Sequence, residues 1–131
     1  MPARPISPHL SVYKMSRYSL ATSILNRFAG VALSVGLLLL VYWLMSVAGG
    51  AGSQARATQL LSLPAMKLVY GGCIAAYCYH LVAGLRHLVW DTGRGLERSQ
   101  SQKSAYLVVA VSIGLTLLIG YLALVLKGHA P

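Results

Sequence analysis

Three long stretches of this chain carry no charged residue, and they constrain its fold more than any other feature. They are residues 28–54, 68–85 and 104–126, each with basic residues close to both ends. Each reaches or approaches the roughly 20 residues that a helix needs to cross a hydrocarbon core of about 30 Å. Only 10% of the residues are charged, whereas about a quarter are charged in a soluble domain. The sequence therefore predicts an all-α integral membrane protein, a single domain over residues 1–131.

The flanking residues set the expected limits of three transmembrane helices. Thr22 or Ser23 is a suitable N-cap for the first helix, and Pro64 suits the entry to the second. Residues 1–21 are polar and rich in proline, so they are expected to lie at the inner membrane surface. The predicted helices cover about residues 22–47, 66–90 and 103–126. Between the first two, a run of glycines predicts a flexible outer connection: Gly49, Gly50 and Gly52.

Basic residues determine the expected orientation. The net charge is +9, but the basic residues are scattered through loops and helix ends. This distribution indicates lipid headgroups rather than nucleic acid as their partners. They are densest in the N-terminal segment and around the second connection: Arg4, Lys14, Arg17, Arg27, Arg86, Arg94, Arg98 and Lys103. The positive-inside rule therefore places the N-terminus inside and the C-terminus outside.

The segment HLVAGLRHLVWD, from His80 to Asp91, carries ionisable residues inside or beside the second helix. His80, Gly84, His87 and Asp91 fall within about 40° of one line on a helix. Ionisable groups at this depth usually face a bundle interior, a cofactor or an ion path. Gly84 leaves room beside His80 for a flat group. Arg86 points about 120° away from this line, so for it we expect snorkelling or an interhelical pair.

His80 is predicted to lie near the middle of the membrane, about 16 Å from the inner boundary. Such an imidazole either hydrogen-bonds to a neighbouring helix or binds a metal, and haem iron is the metal centre that best suits a lone site without sulfur ligands. No CxxCH motif is present, so a haem would be held without covalent links. His87 lies roughly 10.5 Å along the same helix, too far to be the second axial ligand. A second histidine must therefore come from another membrane chain, either a different subunit or a second copy.

The first helix has a stripe of polar and small residues at the same spacing: Ser23, Arg27, Gly30 and Ser34. Arg27 either snorkels to lipid phosphate or offers its donor fork to a haem propionate or a quinone carbonyl. Ser23 adds a hydroxyl one turn away. The predicted topology places Ser23, Arg27, His87 and Asp91 at the same membrane face, which favours a binding site over separate lipid anchors.

Three motifs occur in a distinctive order: RPISPHLSVYK at 4–14, SILNRFAG at 23–30 and HLVAGLRHLVWD at 80–91. Together they resemble the cytochrome b556 membrane-anchor subunits of succinate dehydrogenase, whose patterns are RPxSPHL-x-x-Y, S-x-x-HR-x-x-G and H-x3-G-x-RH-x3-D. The order of the motifs and the three-helix length match nearly the whole chain. The sequence departs from the pattern at Asn26, where the family commonly has histidine. An amide keeps hydrogen bonding but does not titrate near neutral pH.

The resemblance implies a place in a four-subunit respiratory complex. A flavoprotein with FAD would oxidise succinate, an iron–sulfur subunit would pass electrons inward, and two membrane subunits would form a helical bundle that holds haem b and ubiquinone. By matching position, His80 would be an axial ligand of the haem iron, and the second membrane subunit would supply the other histidine. Ser23 and Arg27 would help to form the quinone site. Arg27, Gly84 and His87 would surround the haem, with Arg27 near its propionates.

The expected function is therefore that of an enzyme subunit without succinate-oxidising chemistry of its own, acting in the tricarboxylic acid cycle and aerobic respiration. One alternative is a fumarate reductase anchor that works with menaquinone, although the SPHL segment favours succinate oxidation. A second is a non-redox membrane scaffold, in which His80 would be replaceable. We expect a bacterial inner membrane location, with the mitochondrial inner membrane as the alternative.

Overall fold

The computed structural model describes residues 17–128, and all regular structure in this range is helical. The helices in chain order are α1 (Arg17–Ala48), α2 (Ala51–Leu61), α3 (Pro64–Asp91) and α4 (Arg98–Gly128). This confirms the all-α prediction. The SPHL segment and residues 1–16 of the predicted inner-surface segment lie outside the described residues.

Three segments are long and apolar enough to cross a membrane: Leu20–Ala48, Pro64–Asp91 and Arg98–Leu126, with 29, 28 and 29 residues. At about 1.5 Å per residue each exceeds the roughly 30 Å of a hydrocarbon core, so their ends extend to the interface or the helices tilt. The predicted three spans are thus confirmed. Which terminus lies inside stays a prediction.

The connection between the first two spans is not the flexible glycine-marked linker that the sequence predicted. Gly50 adopts a left-handed backbone with φ of 86°, which ends α1, and its carbonyl then accepts the N–H groups of Ser53 and Gln54 at 3.1 and 3.0 Å. After this turn α2 continues for 11 residues. Its alanine, glutamine, arginine and leucine residues favour helix, and their preference outweighs the nearby glycines. The tyrosine hydroxyl of Tyr70 in α3 donates to the carbonyl of Leu61 at 3.0 Å, which joins α2 to the following helix.

Two other helix boundaries differ from the predictions. α1 begins at Arg17, so residues 17–21 are helical and Thr22 and Ser23 lie within the helix instead of capping it. α4 begins at Arg98 rather than at residue 103. Polar helical turns therefore extend both spans at the same end of the bundle as the C-terminus of α3. Polar turns are invisible to a hydropathy argument because they do not need to be apolar outside the hydrocarbon core.

Small side chains form the interior of the bundle. The buried apolar residues are Ala29, Ala57, Cys78, Ala83, Ala105 and Val108. Gly36 of α1 lies so close to α3 that an added Cβ would stand 3.1 Å from the sulfur of Cys73. Large aliphatic and aromatic side chains are exposed on the outside of the chain. Small residues inside and large apolar residues outside are typical of helices that pack within lipid.

Candidate cofactor site

Helices α1 and α3 run antiparallel, and three contacts fix their register. Thr22 contacts Arg86, Gly30 lies against His80, and further along α1 the pair of Gly36 and Cys73 follows. Sequence numbers rise along α1 as they fall along α3. This register brings the polar stripe of α1 beside the histidine line of α3.

The same register places Ser23 and Arg27 on α1 between the levels of His87 and His80. The two residues are four positions apart, so they share a face of the helix. Ser23 is half-buried and Arg27 is exposed. The hydrogen bonds described for His80 and His87 go to the backbone carbonyls of Asn26 and Ala83, and neither bond involves the side chain of Ser23 or Arg27.

The imidazole of His80 is held by the backbone of α1. Its Nδ1 lies 3.2 Å from the carbonyl oxygen of Asn26. A carbonyl can only accept, so this bond requires Nδ1 to carry the proton, which leaves Nε2 with its lone pair free. A histidine whose other ring nitrogen donates to a carbonyl is the usual arrangement of a metal ligand.

Two glycines shape the space around the His80 ring. A Cβ added to Gly30 would stand 3.4 Å from the Cε1 atom of His80, so glycine allows α1 to approach the ring closely. A Cβ added to Gly84 would meet nothing within 4 Å, so the space on that side is open. His80 itself is exposed on the surface of this chain. A fixed imidazole with a free Nε2 beside open space fits a haem.

No group of three or more His, Cys, Asp or Glu residues in the described part of the chain could hold a metal ion. A metal at His80 would need its other ligands from elsewhere. A haem would bring its own ring of nitrogen ligands, so a single histidine of this chain could hold it. The donor set therefore fits haem ligation through one histidine and does not fit a bare metal site.

Asn26 also has a buried acceptor that no atom of the described residues satisfies. The side-chain oxygen Oδ1 is inaccessible and has no hydrogen-bond partner. An unpaired buried polar atom costs about 1–3 kcal/mol, so such atoms usually have a donor from a bound molecule, a water or another chain. The orphaned acceptor lies on the residue whose carbonyl holds His80. The sequence singled out Asn26 only as a departure from the family pattern, and its backbone role could not be predicted.

His87 lies on the same line of α3 but has a different environment. Its Nδ1 is 2.7 Å from the carbonyl oxygen of Ala83 on its own helix, which again leaves Nε2 free. The ring meets Trp90 edge-on with centroids 5.3 Å apart. His87 is exposed, so its free nitrogen can accept a hydrogen bond from a donor outside the chain.

Arg86 is buried at the junction of three helices, a placement that the sequence did not define. Its Nη1 donates to the hydroxyl of Thr22 at 3.2 Å, and its Nε donates to the hydroxyl of Ser104 at 2.9 Å. Its Nη2 donates to the carbonyl of Ser101 at 2.8 Å. The guanidinium carbon lies 4.0 Å from the ring centroid of Trp90. Of the two roles expected for Arg86, snorkelling or an interhelical pair, the structure shows interhelical contacts.

A separate apolar cavity of about 740 Å³ lies between the halves of α1 and α3 that are further from His87. Its lining includes Gly36, Trp43, Tyr70, Cys73 and Tyr77. None of the predicted site residues contributes to it. This cavity and the candidate site are thus different places on the bundle.

The family model for the succinate dehydrogenase/fumarate reductase transmembrane subunit matches residues 1–119. The chain belongs to this family. Over 115 residues it is 39% identical to the succinate dehydrogenase cytochrome b556 subunit of Paracoccus denitrificans, with 88% of each chain covered. The b556 subunit of Rickettsia prowazekii is 38% identical over 116 residues, which cover 88% of this chain and 90% of that one. The mitochondrial cytochrome b560 subunit of Bos taurus is 36% identical over 112 residues, which cover 84% of this chain and 66% of that one.

Family membership gives the chain its general role as a membrane-anchor subunit of succinate dehydrogenase. The relatives bear the name of succinate dehydrogenase, which supports this role over fumarate reductase and over a non-redox scaffold. The three spans and the bacterial relatives indicate a multi-pass protein of the inner membrane. The assignments of individual site residues stay predictions.

Proposed function

We propose that this subunit binds haem b through His80 and helps to pass electrons from an iron–sulfur subunit to ubiquinone. The observation that carries the proposal is the 3.2 Å contact between Nδ1 of His80 and the carbonyl of Asn26, because it leaves the lone pair of Nε2 free to bind iron. The cytochrome b names of the relatives agree with haem b as the cofactor.

The protein's contribution to the haem is to hold and tune its ligand. The Asn26 carbonyl fixes the tautomer and the rotation of the His80 ring, and it raises the basicity of Nε2 as a ligand. When bound, haem b supplies reversible one-electron storage. Gly84 leaves space for the macrocycle, Arg27 is the group that would pair with its propionates, and His87 would lie beside it.

A second membrane-anchor subunit would supply the other histidine that holds the haem. His80 is exposed in this chain, so its ring is accessible to such a subunit. The other partners of the complex would be an iron–sulfur subunit and a flavoprotein with FAD. Succinate oxidation belongs to those partners, so this chain is an enzyme subunit without the oxidising site.

Ser23 and Arg27 would bind ubiquinone at the inner end of the bundle. Reduction of a quinone adds two electrons and two protons and builds negative charge on its oxygens. The guanidinium of Arg27 and the hydroxyl of Ser23 are donors that would orient a quinone carbonyl and stabilise that charge. The orientation with N-terminus inside would put this site on the side of the membrane where the basic connections lie.

The test compares two activities of the whole purified complex. In Arg27→Gln and Ser23→Ala variants, succinate oxidation with an artificial electron acceptor should stay at the wild-type rate. Reduction of a soluble ubiquinone analogue should fall by about 10²-fold, the size seen when one donor to a developing oxyanion is removed. Arg94→Gln, an exposed basic residue in the second connection, is the matched control. Unchanged ubiquinone reduction in both variants would rule out the proposed quinone site.

A further inference from the structure

Arg86 is the charged residue that the described side chains bury, with 8% of its surface exposed. The whole chain contains two acidic residues, Asp91 and Glu97, and both are exposed. The described contacts of Arg86 are instead with neutral oxygens and an aromatic ring. A buried charge without an acidic partner is expensive, and replacing buried ionic groups by apolar ones is often neutral or stabilising. Stability alone therefore gives a weak reason for an arginine here.

The geometry of these contacts gives a stronger reason for an arginine at position 86. The guanidinium is a planar group with donors in fixed directions. Nη1 donates to the hydroxyl of Thr22 on α1 at 3.2 Å. Nε and Nη2 donate to the Ser104 hydroxyl and the Ser101 carbonyl on α4 at 2.9 and 2.8 Å. These bonds together restrict how far α3 can rotate about its axis relative to α1 and α4.

The contacts of Arg86 lead to the candidate site on two helices, through Thr22 on α1 and through Trp90 on α3. Thr22 directly precedes Ser23, so the bond from Arg86 fixes the rotation of the α1 turn that carries the Ser23 hydroxyl. On the other side, Arg86 stacks on Trp90, and Trp90 meets the ring of His87 edge-on at 5.3 Å. One side chain is thus connected to two elements of the site that come from different helices.

We propose that Arg86 is a positioning residue, which sets the rotation of α1 and α3 so that Ser23, Arg27 and His87 face the same bound groups. This inference rests on the proposed function. Arg86 does not touch the quinone or the haem in this role. It acts through Thr22 and Trp90, and its hydrogen bonds also hold the start of α4 against that end of the bundle.

The first test replaces Arg86 by methionine and by lysine in the whole complex. Two quantities are measured on assembled complex normalised to haem content: the KM for a ubiquinone analogue and the midpoint potential of the haem. Displaced binding groups should raise the KM by about tenfold or more, since small misplacements can cost up to 10²-fold, and should shift the potential. Lysine keeps the charge but lacks the planar fork, so it should resemble methionine. A native KM and a native potential in assembled Arg86→Met complex would overturn the proposal.

If the Arg86 variants do not assemble, two milder substitutions test the proposal. Thr22→Val keeps the shape of the side chain and removes one bond to Arg86, while Thr116→Val removes a hydroxyl that bonds within α4. The KM should rise in Thr22→Val and stay native in Thr116→Val; equal KM values would overturn the positioning role. Failure of the proposed function is recognised separately, because Ser23→Ala and Arg27→Gln would then also leave the KM unchanged.

Discussion

The carbonyl oxygen of Asn26 lies 3.2 Å from Nδ1 of His80, so the histidine is oriented by the backbone of the neighbouring helix and not by a side chain. A backbone carbonyl in a helix cannot rotate away, and it is present whatever residue occupies position 26. The contact also depends on Gly30, which lets α1 lie against the ring. The orientation of His80 is therefore a property of how α1 packs on α3.

Asn26→Ala should keep the haem. The substitution removes the orphaned side-chain oxygen but leaves the carbonyl that holds His80. The haem content of the purified complex, measured by absorbance of the extracted pigment, should equal that of the wild type. A large loss of haem would mean that the Asn26 side chain, rather than its carbonyl, supports the ligand.

Gly30→Val should reduce haem content. Even a Cβ at this position would stand 3.4 Å from Cε1 of His80, and the added methyl groups would displace the ring or separate the helices. Overpacking of this kind costs about 1–3 kcal/mol. Gly114→Val in α4, where a Cβ meets nothing within 4 Å, is the matched control. Equal haem content in the two variants would contradict the close packing of Gly30 on His80.

Arg27→Lys should weaken quinone binding although the charge is kept. A lysine ammonium is a point charge and lacks the planar fork of the guanidinium. Loss of one charge-assisted hydrogen bond costs about 1.5–3 kcal/mol, which corresponds to a KM for the ubiquinone analogue raised by about 10- to 150-fold. Steady-state kinetics with succinate as donor measure this. A native KM in Arg27→Lys would indicate that Arg27 contributes only charge, as a lipid anchor does.

Much of the fold followed from the sequence because the membrane imposes it. Charge-free stretches must become helices in a medium without water, and the three spans are found where those stretches lie. The sequence does not predict the short helix α2, because Gly49, Gly50 and Gly52 are typical of a flexible linker. Only Gly50 among them needs a left-handed backbone, and the residues after it favour helix.

The site was predictable only in part. The line of His80, Gly84 and His87 could be drawn because all three lie on one helix, where spacing defines the face. Contacts between helices could not be obtained in this way. Arg86 meets Thr22, which lies 64 positions away along the chain, and the Asn26 carbonyl meets His80 across 54 positions. Helical spacing contains no information about such register.

Tyr70→Phe should destabilise the bundle slightly and leave haem content unchanged. The variant loses the hydrogen bond from the tyrosine hydroxyl to the Leu61 carbonyl, and such a bond contributes about 0.5–1.5 kcal/mol. Thermal unfolding of the purified complex should occur at a lower temperature than in Tyr42→Phe, an exposed tyrosine of α1. Identical unfolding temperatures would show that α2 does not depend on Tyr70 for its attachment to α3.

Ligation of haem by His80 is tested most directly by optical difference spectra of the purified complex. Spectra are recorded after reduction with succinate and then with dithionite, for the wild type, His80→Ala and the control Tyr121→Phe, an exposed residue of α4. The wild type and the control should show the α-band of a b-type haem, reduced at least partly by succinate, and His80→Ala should lack it. A native α-band in assembled His80→Ala complex, or its absence from the wild type with both reductants, would contradict the assignment of His80 as the haem ligand.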